Sequence, residues 1–113
     1  MTYIEALTEL AELLPKSWGA RMVTALFDGG PALHCKPLGS MLSMLPDASD
    51  EDDEHLTVTM SLIKLMGGCE IVQHDEKWSA SKREEWFVGI ADTITEAVVR
   101  LAVKVLRARK EEA

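Results

Sequence analysis

Apolar residues recur every three or four positions in three stretches of the chain, and this period predicts three helices. The first helix spans residues 2–14 and starts with Thr2 and Glu5, which match the capping-box pattern. Pro15 ends it, because proline lacks an N–H and restricts the residue before it. The apolar face of this helix consists of Tyr3, Leu7, Leu10 and Leu14, with Ile4 and Ala11 beside them.

The sequence of the second predicted helix, 50–66, contains two conflicting patterns. Between positions 56 and 62 apolar residues alternate with polar ones, as in a strand. An acidic start and the Gly67-Gly68 pair at the end favour a helix instead, since carboxylates suit the first turn and glycine suits the stop. The helical spacing places Leu56, Met60, Ile63 and Met66 on one apolar face.

The third predicted helix, 93–109, carries the clearest pattern. Thr93 and Glu96 match a second capping box. A broad apolar stripe follows, formed by Ile94, Ala97, Val98, Leu101, Ala102, Val105 and Leu106. Basic residues lie largely off this stripe, at Arg100, Lys104, Arg107, Arg109 and Lys110.

Strand patterns fill most of the remaining chain. A hairpin is predicted over 21–36, with its turn before Pro31, and two or three strands over 69–91. The apolar segment 38–45 favours a short helical turn packed on the body. These elements predict one α+β domain over 1–113, in which three helices pack on a single antiparallel sheet of four to five short strands.

The charge of the chain limits its partners. Its 113 residues include 12 Lys+Arg and 19 Asp+Glu, a formal net charge of -7. Such a surface repels phosphate backbones, so we expect no direct nucleic-acid binding and favour a protein partner with a basic groove. The start of the chain lacks the pattern of a secretory signal and no apolar run is long enough to cross a bilayer, so we expect a cytoplasmic protein.

An acidic run is the sharpest charge feature and the first candidate contact for such a partner. It consists of Asp50, Glu51, Asp52, Asp53 and Glu54. A solvated helix start is the competing interpretation. A calcium loop is disfavoured, because His55 stands where that loop needs glycine.

Aromatic residues and methionines supply further candidates. Trp78 lies between polar residues and is predicted to be a half-exposed anchor for the partner, whereas Trp86 lies in an apolar strand and is predicted to be core. Trp18 is left open. Most methionines are expected to fill the core.

Catalytic and metal-binding chemistry is weakly supported. His34, Cys35, Cys69 and His74 are residue types that zinc accepts, but their spacing sends the members of each pair to opposite faces of a strand. No motif frames a nucleophilic serine or a phosphate loop. We therefore expect no enzyme, no metal and no cofactor, with buried cysteines and surface histidines instead.

The second half of the chain resembles a known group of proteins. A helix ending at 65–67, a tryptophan-containing strand at 76–80 and a capped, alanine-rich final helix at 91–102 are similar to small phage and prophage proteins with the phage α/β/α sandwich domain. That family provides no catalytic residues. The resemblance implies a phage-type accessory protein.

Three functional hypotheses follow. The first is a non-catalytic protein that binds a host macromolecular complex, for example as a defence or anti-CRISPR inhibitor. The second is a self-associating structural or regulatory module, in which segment 38–45 and the stripe of the final helix pack between subunits. The third and least favoured is a small metalloprotein.

Overall fold

The computed structural model describes residues 2–24, 30–37, 42–44 and 53–112, with the side chains of 42–44, 53 and 54 left out of that description. The helices in these ranges are α1 (Tyr3–Leu13), α2 (Asp53–Met66) and α3 (Ile94–Glu112). The strands are β1 (Arg21–Thr24), β2 (Pro31–Cys35), β3 (Leu42–Met44), β4 (Glu70–His74), β5 (Lys77–Lys82) and β6 (Phe87–Ala91). Short 3-10 turns occupy Lys16–Trp18 and Arg83–Glu85.

The strands form two antiparallel sheets, so the predicted single sheet of four to five strands is wrong. The first sheet has the order β1-β2-β3 and the second has the order β4-β5-β6. Each set is consecutive in the chain, which lets neighbouring strands pair locally. The helices then separate the sheets, because α1 and α2 contact the first sheet while α3 contacts β5 and β6 of the second.

The predicted hairpin over 21–36 is confirmed, and its register pairs Arg21 with His34 and Thr24 with Pro31. The helical turn predicted for 38–45 is wrong where the structure describes it. β3 pairs with β2 there, with Leu42 opposite Cys35. The backbone N–H and C=O groups of β2 form hydrogen bonds with β3, and the local apolar pattern of 38–45 does not show that this partner is present. The remaining residues of that segment, 38–41 and 45, lie outside the described residues.

The start of α1 and the end of α2 show the capping interactions predicted for them. Thr2 and Glu5 form the reciprocal capping box of α1. The helical alternative for α2 is confirmed, and its end is a two-glycine Schellman motif, with Gly68 N–H donating to Ile63 O at 2.8 Å and Gly67 N–H to Lys64 O at 3.1 Å. The start of α2 is predicted at residue 50, and residues 50–52 lie outside the described residues.

The buried face of α2 differs from the predicted apolar face. Leu56 and Met60 are exposed by 42% and 54%. The face turned inward is partly polar, because the Thr59 hydroxyl donates to the Thr95 hydroxyl of α3 at 3.2 Å in a buried position. This paired hydroxyl removes the penalty of burying either group alone. The residues buried on α2 are His55, Val58, Thr59, Ser61, Leu62 and Met66.

α3 lies at the centre of the molecule and begins as predicted, with Glu96 N–H donating to Thr93 Oγ1 at 3.1 Å. It packs against α1 and α2 on one side and against the second sheet on the other. Its buried set is therefore wider than one stripe and comprises Thr95, Ala97, Val98, Val99, Leu101, Ala102, Val103, Val105 and Leu106. No helix within the described ranges is both long and apolar enough to cross a membrane.

Candidate protein-binding surface on the second sheet

The predicted partner contacts are only partly covered by the structure. Residues 50–52 of the acidic run lie outside the described residues, and α2 begins at Asp53. Trp78 lies on β5 opposite Ala91, is half-buried and packs against the core. A role of either feature in binding stays a prediction.

The four candidate zinc ligands are not brought into one cluster. His34 and Cys35 lie on β2 of the first sheet, whereas Cys69 immediately precedes β4 of the second sheet and His74 is the last residue of β4. Across the described ranges, no three His, Cys, Asp or Glu side chains form a group that could hold a metal ion.

The two thiols differ in their surroundings, and this gives a chemical test of the core. Burial raises the pKa of the Cys35 thiol to about 11. Burial also raises the pKa of Cys69, and the nearby Lys82 ammonium opposes that rise. Since only the thiolate reacts, a pKa near 11 leaves roughly a thousandth of Cys35 reactive at pH 8.

We therefore expect an aromatic disulfide reagent at pH 8 to modify Cys69 faster than Cys35 in the native protein. Mass spectrometry of the labelled peptides would measure both rates. Unfolding in guanidinium should make the rates similar. A native Cys35 that reacts as fast as Cys69 would contradict the burial described above.

The second sheet has one covered face and one open face. Ala80, Gly89 and Ala91 are buried on the face turned toward α3. The opposite face carries larger apolar side chains, of which Val72 is exposed by 42%, Val88 by 40% and Ile90 by 59%. On β6 the small residues Gly89 and Ala91 thus lie on the covered side, and the β-branched Val88 and Ile90 lie on the open side.

The open-face residues are neighbours across the strands. Val72 pairs with Ser79 on β5, and Ser79 pairs in turn with Ile90 on β6. Val88 lies two residues from Ile90 on the same side of β6. This register places three exposed β-branched side chains on one sheet face, where no described element packs on them.

Trp86 contradicts the prediction that it belongs to the core, because 92% of its side chain is exposed. It follows the Arg83–Glu85 turn in a left-handed conformation with φ 60, and its N–H donates to Arg83 O at 3.3 Å. This conformation turns the chain into β6. The exposed apolar set of Val72, Trp86, Val88 and Ile90 is called the outer patch below.

The free edge of β6 borders a groove of about 460 Å³. The groove runs between β6 and α3 and is lined by Val88, Ile90, Arg100, Val103, Lys104 and Arg107. Lys104 Nζ donates to Val88 O at 2.5 Å. The outer patch and a basic groove thus share β6.

Sequence reasoning missed the outer patch, although one signal for it exists. Over 88–91 the order Val-Gly-Ile-Ala alternates large β-branched residues with small ones. A face that needs glycine and alanine is the face a helix approaches closely, so Val88 and Ile90 must take the other side. The position of Trp86 had no such signal, because a left-handed tryptophan is rare.

Comparison with protein families, curated proteins and solved structures found no match to this chain. The resemblance to phage proteins with the α/β/α sandwich domain is therefore neither supported nor opposed by relatives. What the molecule itself defines is a small α+β protein with an uncovered apolar sheet face.

Proposed function

We propose that this is a non-catalytic accessory protein of phage type that acts by binding a host macromolecular complex, as a defence or anti-CRISPR inhibitor does. The observation that carries the proposal is Trp86, which combines almost complete exposure with an unfavourable backbone conformation. The left-handed conformation closes the turn into β6, but glycine would close it without strain, and an exposed indole adds nothing to the core. Both suit a side chain held ready for a partner.

The energetics of Trp86 support this interpretation. A left-handed conformation costs an L-residue roughly 1–2 kcal/mol, and glycine avoids that cost. Such strain is commonly found at functional sites. Tryptophan is also among the residues most enriched at the energetic centre of interfaces. A tryptophan in this position is therefore best explained by what it contacts in a complex.

Other exposed apolar residues of the second sheet enlarge the proposed contact. Val72, Val88 and Ile90 add exposed apolar area on the open face of the second sheet. The acidic run Asp50–Glu54 and Trp78 remain proposed partner contacts, suited to a basic groove on the host complex. In this proposal the charges steer the encounter and the outer patch supplies most of the affinity.

Self-association through the final helix is less well supported. The stripe of α3 is buried inside the chain, with Leu101 and Val105 fully covered. It therefore offers no surface to a second subunit. Packing through segment 38–45, most of which lies outside the described residues, stays part of this alternative, and binding of a second copy through the outer patch is a further form of it. Light scattering of wild-type protein would reveal either form as a concentration-dependent mass.

A Trp86→Gly variant tests the proposed function. We expect its free energy of unfolding to equal or exceed that of wild type, because glycine relieves the left-handed strain. We expect capture of the host partner from lysate to weaken by about thirtyfold, the equivalent of about 2 kcal/mol at a hot spot. Denaturation and quantitative capture would measure the two quantities on the same preparations.

Two matched variants complete the test. Ile4→Ser removes an apolar side chain exposed by 44% on α1, away from the second sheet, and should leave capture unchanged. Neutralising the acidic run to Asn and Gln should weaken capture mainly at low salt. Full capture by Trp86→Gly would overturn the proposed function, because that function rests on the outer patch.

A further inference from the structure

The edge of the second sheet exposes hydrogen-bonding backbone. β6 is the last strand of the order β4-β5-β6. Because Lys104 Nζ donates to Val88 O at 2.5 Å, that carbonyl points away from β5. In an antiparallel pair, residues that point their N–H and C=O outward alternate with those that point them inward. The backbone groups of Ile90 therefore face the same open edge.

Among the described residues, those that line the groove beside this edge include cations but no carboxylate, although the chain as a whole has a formal charge of -7. α3 contributes three cations to it: Arg100, Lys104 and Arg107. Glu96 accepts from Arg100 Nε at 2.9 Å and Glu9 accepts from Arg107 Nε at 2.7 Å. Both arginines are thus paired with carboxylates, and Glu111 also lies near Arg107. Lys104 is instead bonded to an uncharged carbonyl, so it is the cation that an incoming acid would meet.

We infer that this edge binds an extended acidic segment of the partner protein, which adds to β6 as a further strand above the basic groove. The inference rests on the proposed function and names the chemistry of the partner segment. Strand addition to an open sheet edge is a recurring mode of peptide recognition. Main-chain hydrogen bonds supply the affinity, and the side chains that line the groove supply the selectivity.

The alternation of an added strand fixes its composition. Every second side chain would point toward α3, where the Lys104 ammonium favours Asp or Glu. The side chains between them would extend the open face beside Val88 and Ile90, where β-branched apolar residues pair well across strands. A segment with alternating acidic and β-branched residues therefore fits both sides.

Lys104 makes the edge selective as well as attractive. Its bond to Val88 O covers an edge carbonyl in the free protein, and lysines at sheet edges discourage indiscriminate pairing. A carboxylate arriving from the α3 side offers the ammonium a charged acceptor in place of the carbonyl. Val88 O is then released to accept an N–H of the incoming strand.

The test uses capped seven-residue peptides and the whole protein, followed by amide NMR at millimolar peptide. The probe is Thr-Glu-Val-Glu-Val-Glu-Thr. A scrambled peptide, Thr-Glu-Glu-Glu-Val-Val-Thr, keeps the composition but breaks the alternation, and Thr-Lys-Val-Lys-Val-Lys-Thr reverses the charge. We expect the probe to shift the amides of Val88 and Ile90 and to slow their hydrogen exchange, with at least about tenfold weaker binding of both controls.

Four variants, in two matched pairs, separate the contribution of charge from that of the backbone N–H. Lys104→Glu should weaken probe binding about tenfold, whereas Lys110→Glu, the same change farther along α3, should not. Val88→Pro removes the outward N–H and should weaken probe binding about tenfold, whereas Val88→Ala keeps the N–H and should retain most of it. Thermal unfolding of each variant verifies that the edge is still in place.

The outcomes distinguish the inference from the proposed function. If the probe leaves the β6 amides unshifted, or if the lysine peptide binds equally well, the strand-addition inference is overturned. Trp86→Gly would still weaken partner capture in that case, and the proposed function would stand. Full capture by Trp86→Gly overturns the proposed function whatever the peptides do.

Discussion

Replacing Gly89 with alanine is expected to be the most destabilising single-methyl change in this sheet. β6 crosses α3 so closely here that an added Cβ would lie 2.7 Å from Leu101 N and would collide with Ala97 O as well. Both atoms belong to the backbone of a central helix, so neither can move aside cheaply. We expect a loss of about 3 kcal/mol or more in the free energy of unfolding, measured by denaturant titration.

Gly19→Ala is the matched control. Gly19 has φ +55 but nothing within 4 Å of an added Cβ, so only the left-handed conformation is penalised. That cost is about 1–2 kcal/mol. A Gly89→Ala variant as stable as Gly19→Ala would contradict the close approach of β6 to α3.

Truncating Leu101 to alanine is expected to have the second-largest effect. Leu101 is fully buried near the middle of α3, in the core cluster that holds residues from all three helices and both sheets. Removing its branched end leaves a cavity that packed neighbours on both sides of α3 fill only in part. We expect a loss of about 3 kcal/mol, within the usual range for a core leucine.

The same substitution at Leu56 provides the comparison. Leu56 is exposed by 42%, and alanine suits a helix interior, so Leu56→Ala should cost less than about 0.5 kcal/mol. Thermal and chemical denaturation would measure both variants. Equal losses at the two positions would mean that α2 buries the apolar face suggested by its sequence rather than the one described here.

Local signals explain why the elements could be predicted from the sequence. Capping residues such as Thr2 and Thr93, and the stop at Gly67, act within a few residues of themselves, so a sequence shows them directly. Which face of α2 is buried depends on a residue 36 positions away. Thr59 is buried where its hydroxyl donates a hydrogen bond to the Thr95 hydroxyl. A hydrophobic pattern counts such a threonine as a surface residue.

The division into two sheets was equally hidden from the sequence. Strand patterns show that residues pair, but they do not show which strands stay apart. α3 separates the sheets because it is apolar on more than one side, and Val99 and Val103 extend its buried surface beyond the predicted stripe. The breadth of that surface is what permits packing on two sides.

The candidate site shows the same limit more strongly. Trp86 has an apolar sequence context, which predicts burial, whereas its exposure follows from the turn that precedes it. The groove depends on Val88 and Lys104, which meet only after β6 and α3 have packed. The charge pattern of the sequence predicts a partner contact at the acidic run. The cations that line the groove come together only when β6 packs on α3.

Site-specific photo-crosslinking tests the central claim most directly, because it reports which surface of this protein touches its partner. A photoreactive phenylalanine analogue would replace Trp86, Ile90 or Ile4 in turn, and each variant would be irradiated in host lysate. We expect the same partner to be crosslinked from positions 86 and 90 and not from position 4. Crosslinks from position 4 alone would contradict the assignment of the outer patch as the binding surface.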